Sequence, residues 1–148
     1  MKNLDNYIIN NKKVLFRADF NVPLVNGKIS DDSRIIAVKE SIQKLIKQKN
    51  KVFVVSHFGR PNGKINKKYS LKFICPTLKK VLNLNKLYFL ETLNSEQIIN
   101  KINEVQYGEV CLLENIRFSP SEEEIDLNLT NFIAKHFDVY VNDAFSAS

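Results

Sequence analysis

Ser56-His57-Phe58-Gly59-Arg60-Pro61 places an imidazole and a guanidinium on one short loop, directly after the apolar run Lys51-Val52-Phe53-Val54-Val55. Gly59 lets the backbone turn without a Cβ clash, and Pro61 restrains Arg60 to an extended conformation. Such a loop can present two cationic or donor groups to one anion. The same arrangement, an apolar run and then a polar tip, recurs along the chain. Lys13-Val14-Leu15-Phe16-Arg17 leads into Asp19-Phe20-Asn21, Glu109–Leu113 leads into Glu114 and Arg117, and Val139–Val141 leads into Asn142 and Asp143. The arginines of the chain are Arg17, Arg34, Arg60 and Arg117, each in or beside a strand end or a helix start. A guanidinium is a planar fork of donors suited to carboxylate and phosphate, so their placement says more than the total charge.

Each of these residues also has a plainer use. Asp19 and Asn21 suit a turn or a cap as well as a hydroxylated substrate. Arg17 lies within a strand and reads as a structural or supporting residue. Arg34 alone reads as a solvated helix residue, although a helix N-terminus offers amides to an anion. His57 alone reads as a buried, hydrogen-bonded histidine, and Arg117 can pair with Glu114 or with Glu122–Glu124. His136 follows apolar helical residues and reads as structural. There is no Gly-x-Gly-x-x-Gly loop, no Gly-x-x-x-x-Gly-Lys-Ser/Thr loop, no zinc spacing and no nucleophile elbow. What remains is a cradle of charge and hydrogen bonds, which fits phosphoryl transfer by positioning and electrostatics.

The elements that must hold these loops follow from hydrophobic period. Strands are expected at 13–17, 51–55, 86–90, 109–113 and 139–141. Between them, Ile35, Val38, Ile42, Leu45 and Ile46 predict a helix to about Gln48, with N-cap candidates in Ser30–Ser33. Asn26-Gly27 signals a turn. Helices are also expected over 71–82, with Pro76 near the start, over 95–105, with Ile98, Ile99 and Ile102 inward, and over 127–137. Asn62–Lys68 is a polar, lysine-rich excursion. Strands alternating with helices imply right-handed crossovers and a largely parallel α/β sheet covered on both faces. Ligands of such sheets sit at the carboxyl ends of the strands. Asp19, Asn21, His57, Arg60, Glu114, Arg117, Asn142 and Asp143 should therefore line one rim.

Composition agrees with one domain. The chain has 148 residues, 44% hydrophobic and 26% charged, with net charge +6. The positive charge is mostly lysine scattered along helix faces, without the aromatic interleaving of a nucleic-acid surface. No apolar run nears the ~20 residues that span a bilayer, and Met1 does not lead into a signal peptide. Cys75 and Cys111 are isolated and suit buried thiols in a reducing cytoplasm.

Five stretches together resemble the phosphoglycerate kinase family: 17–23 (RADFNVP), 31–35 (DDSRI), 56–61 (SHFGRP), 112–118 (LLENIRF) and 141–145 (VNDAF). The resemblance implies a Rossmann-like N-terminal lobe that binds 3-phosphoglycerate or 1,3-bisphosphoglycerate, with no nucleic acid or membrane partner. It implies a cytoplasmic, glycolytic, monomeric parent enzyme that transfers a phosphoryl group between 1,3-bisphosphoglycerate and ADP. Carried over, Asp19, Phe20 and Asn21 would contact substrate, Asp19 and Asn21 at its hydroxyl and carboxylate end. Arg34 would be catalytic, steadying the phosphoryl group in flight. His57, Phe58, Gly59, Arg60 and Arg117 would belong to the substrate patch, Arg60 and Arg117 near its fixed phosphate, with Arg17 in support. The family's Mg-ATP/ADP would sit on a C-terminal lobe, so no cofactor or metal is expected here. Ser146-Ala147-Ser148 stands where many members have Gly-Thr-Ala. The chain is thus expected to be residues 1–148 of an incomplete N-terminal domain, inactive alone. A non-catalytic anion-binding module, or a relic of a truncated reading frame, is the other reading.

Overall fold

Short runs of β-branched and aromatic residues form the sheet, and amphipathic stretches form the cover. In the computed structural model, described here over residues 8–56, 67–92, 94–115 and 135–143, the chain opens with β1 (Lys13–Arg17) and a small hairpin, β2 (Leu24–Val25) and β3 (Lys28–Ile29). Next come α1 (Ser33–Ala37), α2 (Lys39–Lys47) and β4 (Lys51–Val55). Two 3₁₀ turns, Lys67–Tyr69 and Leu71–Ile74, precede α3 (Cys75–Val81), β5 (Tyr88–Leu90), α4 (Ser95–Glu104), β6 (Val110–Leu113) and β7 (Val139–Asn142).

Five strands make one sheet in the order β5-β6-β4-β1-β7, and every pair is parallel. All five carboxyl ends therefore share one edge. Side chains alternate across the sheet as the two-residue period demands. Val14, Phe16, Val52, Val54, Val110 and Leu112 face one side, where Ile35, Ile42, Leu45, Ile74 and Leu78 of the helical segments cover them. Leu15, Phe53, Val55, Cys111 and Leu113 face the other, against Ile98, Ile102 and Phe137. Phe137 meets Phe53 edge-on at 5.6 Å. The sheet is covered on both faces, as the alternating sequence predicts.

Several boundaries differ from the sequence reading. The helix expected to run to Gln48 is interrupted at Val38, whose amide takes the tighter bond to Ile35 O at 3.4 Å. Asn26 and Gly27 do turn the chain, with φ +53° and +75°, and this pair joins β2 to β3, which the sequence reading left unassigned. Positive φ at both positions matches the twist of a two-residue hairpin. The segment from Leu71 starts as a 3₁₀ turn, and Pro76 falls in the first turn of α3, where its missing N–H costs nothing. Ile99 is half-exposed, because Ile98 and Ile102, four residues apart, already define the buried stripe and Ile99 lies about 100° round the helix. The helix expected over 127–137 lies outside the described residues except at its end, where Lys135 and His136 are helical.

Asn50 ties the amino-terminal edge. It is fully buried, its Oδ1 accepts the Lys12 amide at 2.9 Å, and its Nδ2 donates to Ile9 O at 2.7 Å and Leu45 O at 2.9 Å.

Candidate anion-binding site at the carboxyl edge

The loop after β1 is built by local bonds. Ala18 N donates to Val55 O at 2.9 Å, the last ladder bond between β1 and β4. Asp19 Oδ1 then accepts the Asn21 amide at 3.0 Å, an Asx turn that reverses the chain toward Pro23. Asp19 Oδ2 accepts from Arg34 at 2.7 Å, and the same guanidinium nitrogen lies 3.3 Å from Asn21 O. Arg34, the second residue of α1, is thus steered to the turn by two acceptors. Its side chain remains 38% exposed, against 17% for Asp19. The pair is half-screened by solvent, so its value is directional: it presents the rest of the guanidinium fork to the rim.

The sequence reading has the N-terminus of α1 offer amides to an anion, and three of those amides already have partners within the chain. Asp31 Oδ1 takes the Ser33 amide at 2.9 Å, and Asp32 O takes those of Ile35 and Ile36. Asp31 is held below the usual carboxylate range, first by the Ser33 amide and then by the Ser33 hydroxyl. Three amides at the start of this five-residue helix are thus taken by its own flank, and the Arg34 guanidinium lies beside them.

Phe20 lies between Asp19 and Asn21 in the same turn. The resemblance counts it among the substrate contacts, yet its ring is 0% exposed and packs in the core cluster with Phe16 and Ile35. Its carbonyl accepts from Val22 N at 2.8 Å and its amide donates to Ser56 Oγ at 2.9 Å. Ring, carbonyl and amide all face protein. Arg17 ends β1, half-buried, and its carbonyl accepts from Asp143 N at 2.8 Å, which binds the loop after β7 to β1.

Glu114 and Asn115 follow β6 and are both buried. Glu114 Oε1 accepts the amides of Leu71 and Asn115, each at 2.8 Å, and Oε2 accepts from Ser70 Oγ at 2.7 Å. Asn115 Nδ2 donates to Tyr69 O at 2.9 Å. The carboxylate that the sequence reading offers to Arg117 therefore holds segment 69–71 against the end of β6. A cleft of about 860 Å³ opens beside it, lined by Leu24, Ser70, Lys72, Glu91 and Glu114. Near it the Cys75 thiol is pushed up, first by burial and then by the charge of Glu114.

Asp19 and Asn21 lie at the edge where the sequence places them, Arg34 joins them from α1, and Asp143 is bonded to Arg17 at the neighbouring strand end. His57, Phe58, Gly59, Arg60 and Arg117 lie outside the described residues. Sequence reasoning missed the partners of Ser56 and Asn115, and it did not foresee that Glu114 takes Ser70, Leu71 and Asn115; its pairing of Arg117 lies outside the described residues. A signal existed: each lies within two residues of the end of a mostly buried strand, and a polar side chain carried into such a place must find its partner within the protein.

An open parallel sheet whose polar loops gather a guanidinium and its acceptors at the carboxyl edge defines an α/β domain of Rossmann-like type. The family model for phosphoglycerate kinase matches residues 4–148, and the chain belongs to that family. It is 44% identical over 149 residues to phosphoglycerate kinase of Prochlorococcus marinus (strain MIT 9515), covering 100% of this chain and 37% of that protein. It is 44% identical over 137 residues to that of Borreliella afzelii (strain PKo), covering 93% and 35%. Among solved structures, phosphoglycerate kinase from Coxiella burnetii superposes with TM-score 0.79 at 36% identity, over 97% of this chain and 35% of that one. The enzyme from Pyrococcus horikoshii OT3 does so with TM-score 0.83 at 33% identity, over 98% and 37%. The chain spans about a third of the length of these relatives.

Proposed function

We propose that this chain supplies the acid-substrate half of a phosphoglycerate kinase, in the reversible transfer of a phosphoryl group between 1,3-bisphosphoglycerate and ADP to give 3-phosphoglycerate and ATP. The observation that carries the reading is the meeting of Arg34 with Asp19 and Asn21 at the carboxyl edge. In this reading residues 1–148 belong to the N-terminal substrate-binding domain of a cytoplasmic, monomeric enzyme. Asp19 and Asn21 bond the hydroxyl and carboxylate end of the acid. Arg34 neutralises charge on the moving phosphoryl group, and Asp19 holds it in place. Arg60 and Arg117 take the fixed phosphate beside His57, Phe58 and Gly59, and Arg17 supports them. Such a site acts by orientation and fixed charge, the two contributions phosphoryl transfer demands.

Among the carboxylates of the described edge, Asp19 is engaged by Arg34 and Glu114 by three donors. We place Mg-ATP/ADP on the portion of the longer relatives outside this chain's span, and the chain alone should not form ATP. Calorimetric titration with 3-phosphoglycerate tests the reading. Weak, saturable binding that Arg34→Ala abolishes is expected. No heat of binding, or equal affinity in Arg34→Ala, would overturn it, and ATP formation from 1,3-bisphosphoglycerate and ADP by these residues would overturn the division of labour.

A further inference from the structure

Ser56 is buried and follows β4 directly. Ladder bonding between β1 and β4 ends at Ala18 N–Val55 O. The next inward amide on the β1 side is that of Phe20, and Ser56 Oγ accepts it at 2.9 Å across 36 residues of sequence. A side-chain oxygen thus continues the pairing where the chain leaves the sheet. The consequences pass along a connected set of bonds. Phe20 is pinned by its buried ring and by this amide, so its neighbours Asp19 and Asn21 are fixed in direction. Asp19 Oδ1 closes the turn on Asn21 N, while Asp19 Oδ2 and Asn21 O hold the Arg34 guanidinium.

We propose that Ser56 is a positioning residue of the phosphoglycerate site: its hydroxyl sets the Asp19–Asn21 turn and, through Asp19, the orientation of Arg34. This rests on the proposed function above. Only a short side chain with an acceptor oxygen serves at this place. Alanine leaves the Phe20 amide without its partner, and threonine retains the oxygen.

The test uses the whole chain with ¹⁵N-detected NMR. Ser56→Ala should speed hydrogen exchange at the Phe20 amide and move the Asn21 amide and Arg34 Nε–Hε resonances. It should weaken 3-phosphoglycerate binding about five- to tenfold, the loss expected from one hydrogen bond. Ser56→Thr should restore all three. A merely stabilising residue would leave the Asn21 and Arg34 resonances of the folded chain unmoved. Unmoved Asn21 and Arg34 signals in Ser56→Ala, or unchanged affinity, would overturn the proposal. If Ser56→Ala does not fold, exchange in the unaltered chain decides. Saturating 3-phosphoglycerate must slow Phe20 exchange relative to Val110, and an unchanged ratio would overturn it. If the unaltered chain binds no 3-phosphoglycerate, the function fails separately, and the Arg34 resonance in Ser56→Ala still decides whether Ser56 sets the turn.

Discussion

Replacing Glu114 by alanine and by glutamine should have sharply different costs, and the difference follows from which oxygen does what. Glu114 is 7% exposed, and both backbone donors, Leu71 N and Asn115 N, converge on Oε1, while the Ser70 hydroxyl uses Oε2. Alanine strands two amides of fully buried residues. Each stranded buried donor costs about 1–3 kcal/mol, partly offset because a desolvated carboxylate is also removed, for an expected loss of roughly 3–4 kcal/mol. Glutamine keeps a carbonyl oxygen for both amides, and its NH₂ replaces Oε2 beside a hydroxyl that can rotate to accept. Its expected cost is about 1 kcal/mol. With a urea slope of about 2 kcal/mol/M, the unfolding midpoint should fall by roughly 1.5–2 M for Glu114→Ala and about 0.5 M for Glu114→Gln. Equal shifts for the two variants, or a loss under about 1 kcal/mol for alanine, would show that Glu114 does not hold segment 69–71 in this way.

The same reasoning reaches other residues. Asn50→Ala should cost about 2–3 kcal/mol in urea unfolding, and Asn50→Asp more, since a carboxylate oxygen would face the carbonyls of Ile9 and Leu45. The thiols should react slowly with Ellman's reagent at pH 8 in the folded chain and quickly in guanidinium. Burial pushes Cys111 up to about 12 and raises Cys75 as well, and one fast thiol in the native chain would contradict this. His136 is lowered first by burial and then by Lys135 and Lys13. The unfolded chain therefore takes the proton first, and stability is lost as pH falls from the ordinary histidine value of about 6.5 through the lower folded value. Its ring should titrate below that ordinary value by NMR, and Lys13→Gln should raise the midpoint; a midpoint at or above the ordinary value would refute the assignment.

Much of the scaffold was legible because it rests on one-body properties. Lys13–Arg17 and Lys51–Val55 are strands residue for residue, since a run buried on both faces declares itself whatever its neighbours. Parallel pairing followed from the intervening helices, and with it the shared edge carrying Asp19, Asn21 and Asp143. Boundaries set by geometry were less legible. The interruption at Val38, the β2–β3 hairpin and the outward Ile99 depend on a turn or on a rotation of one residue. Least legible were the long-range hydrogen bonds. Ser56 meets Phe20 across 36 residues, Glu114 meets Leu71 across 43 and Asn115 meets Tyr69 across 46, and no local pattern encodes such partners. The inward direction of the Phe20 ring was hidden for the same reason. The residue lies inside a polar motif, and only the packed core shows that its ring points inward.

A ¹H–¹⁵N NMR titration of the chain with 3-phosphoglycerate is the most direct trial of a single anion site at the carboxyl edge. Shift changes should concentrate at Asp19, Asn21, Arg34 and Ser56. They should be absent at Lys12, Asn50 and Glu109, which precede the strands at the opposite edge. Changes centred on that opposite edge, or none at saturating ligand, would contradict the site and the function drawn from it.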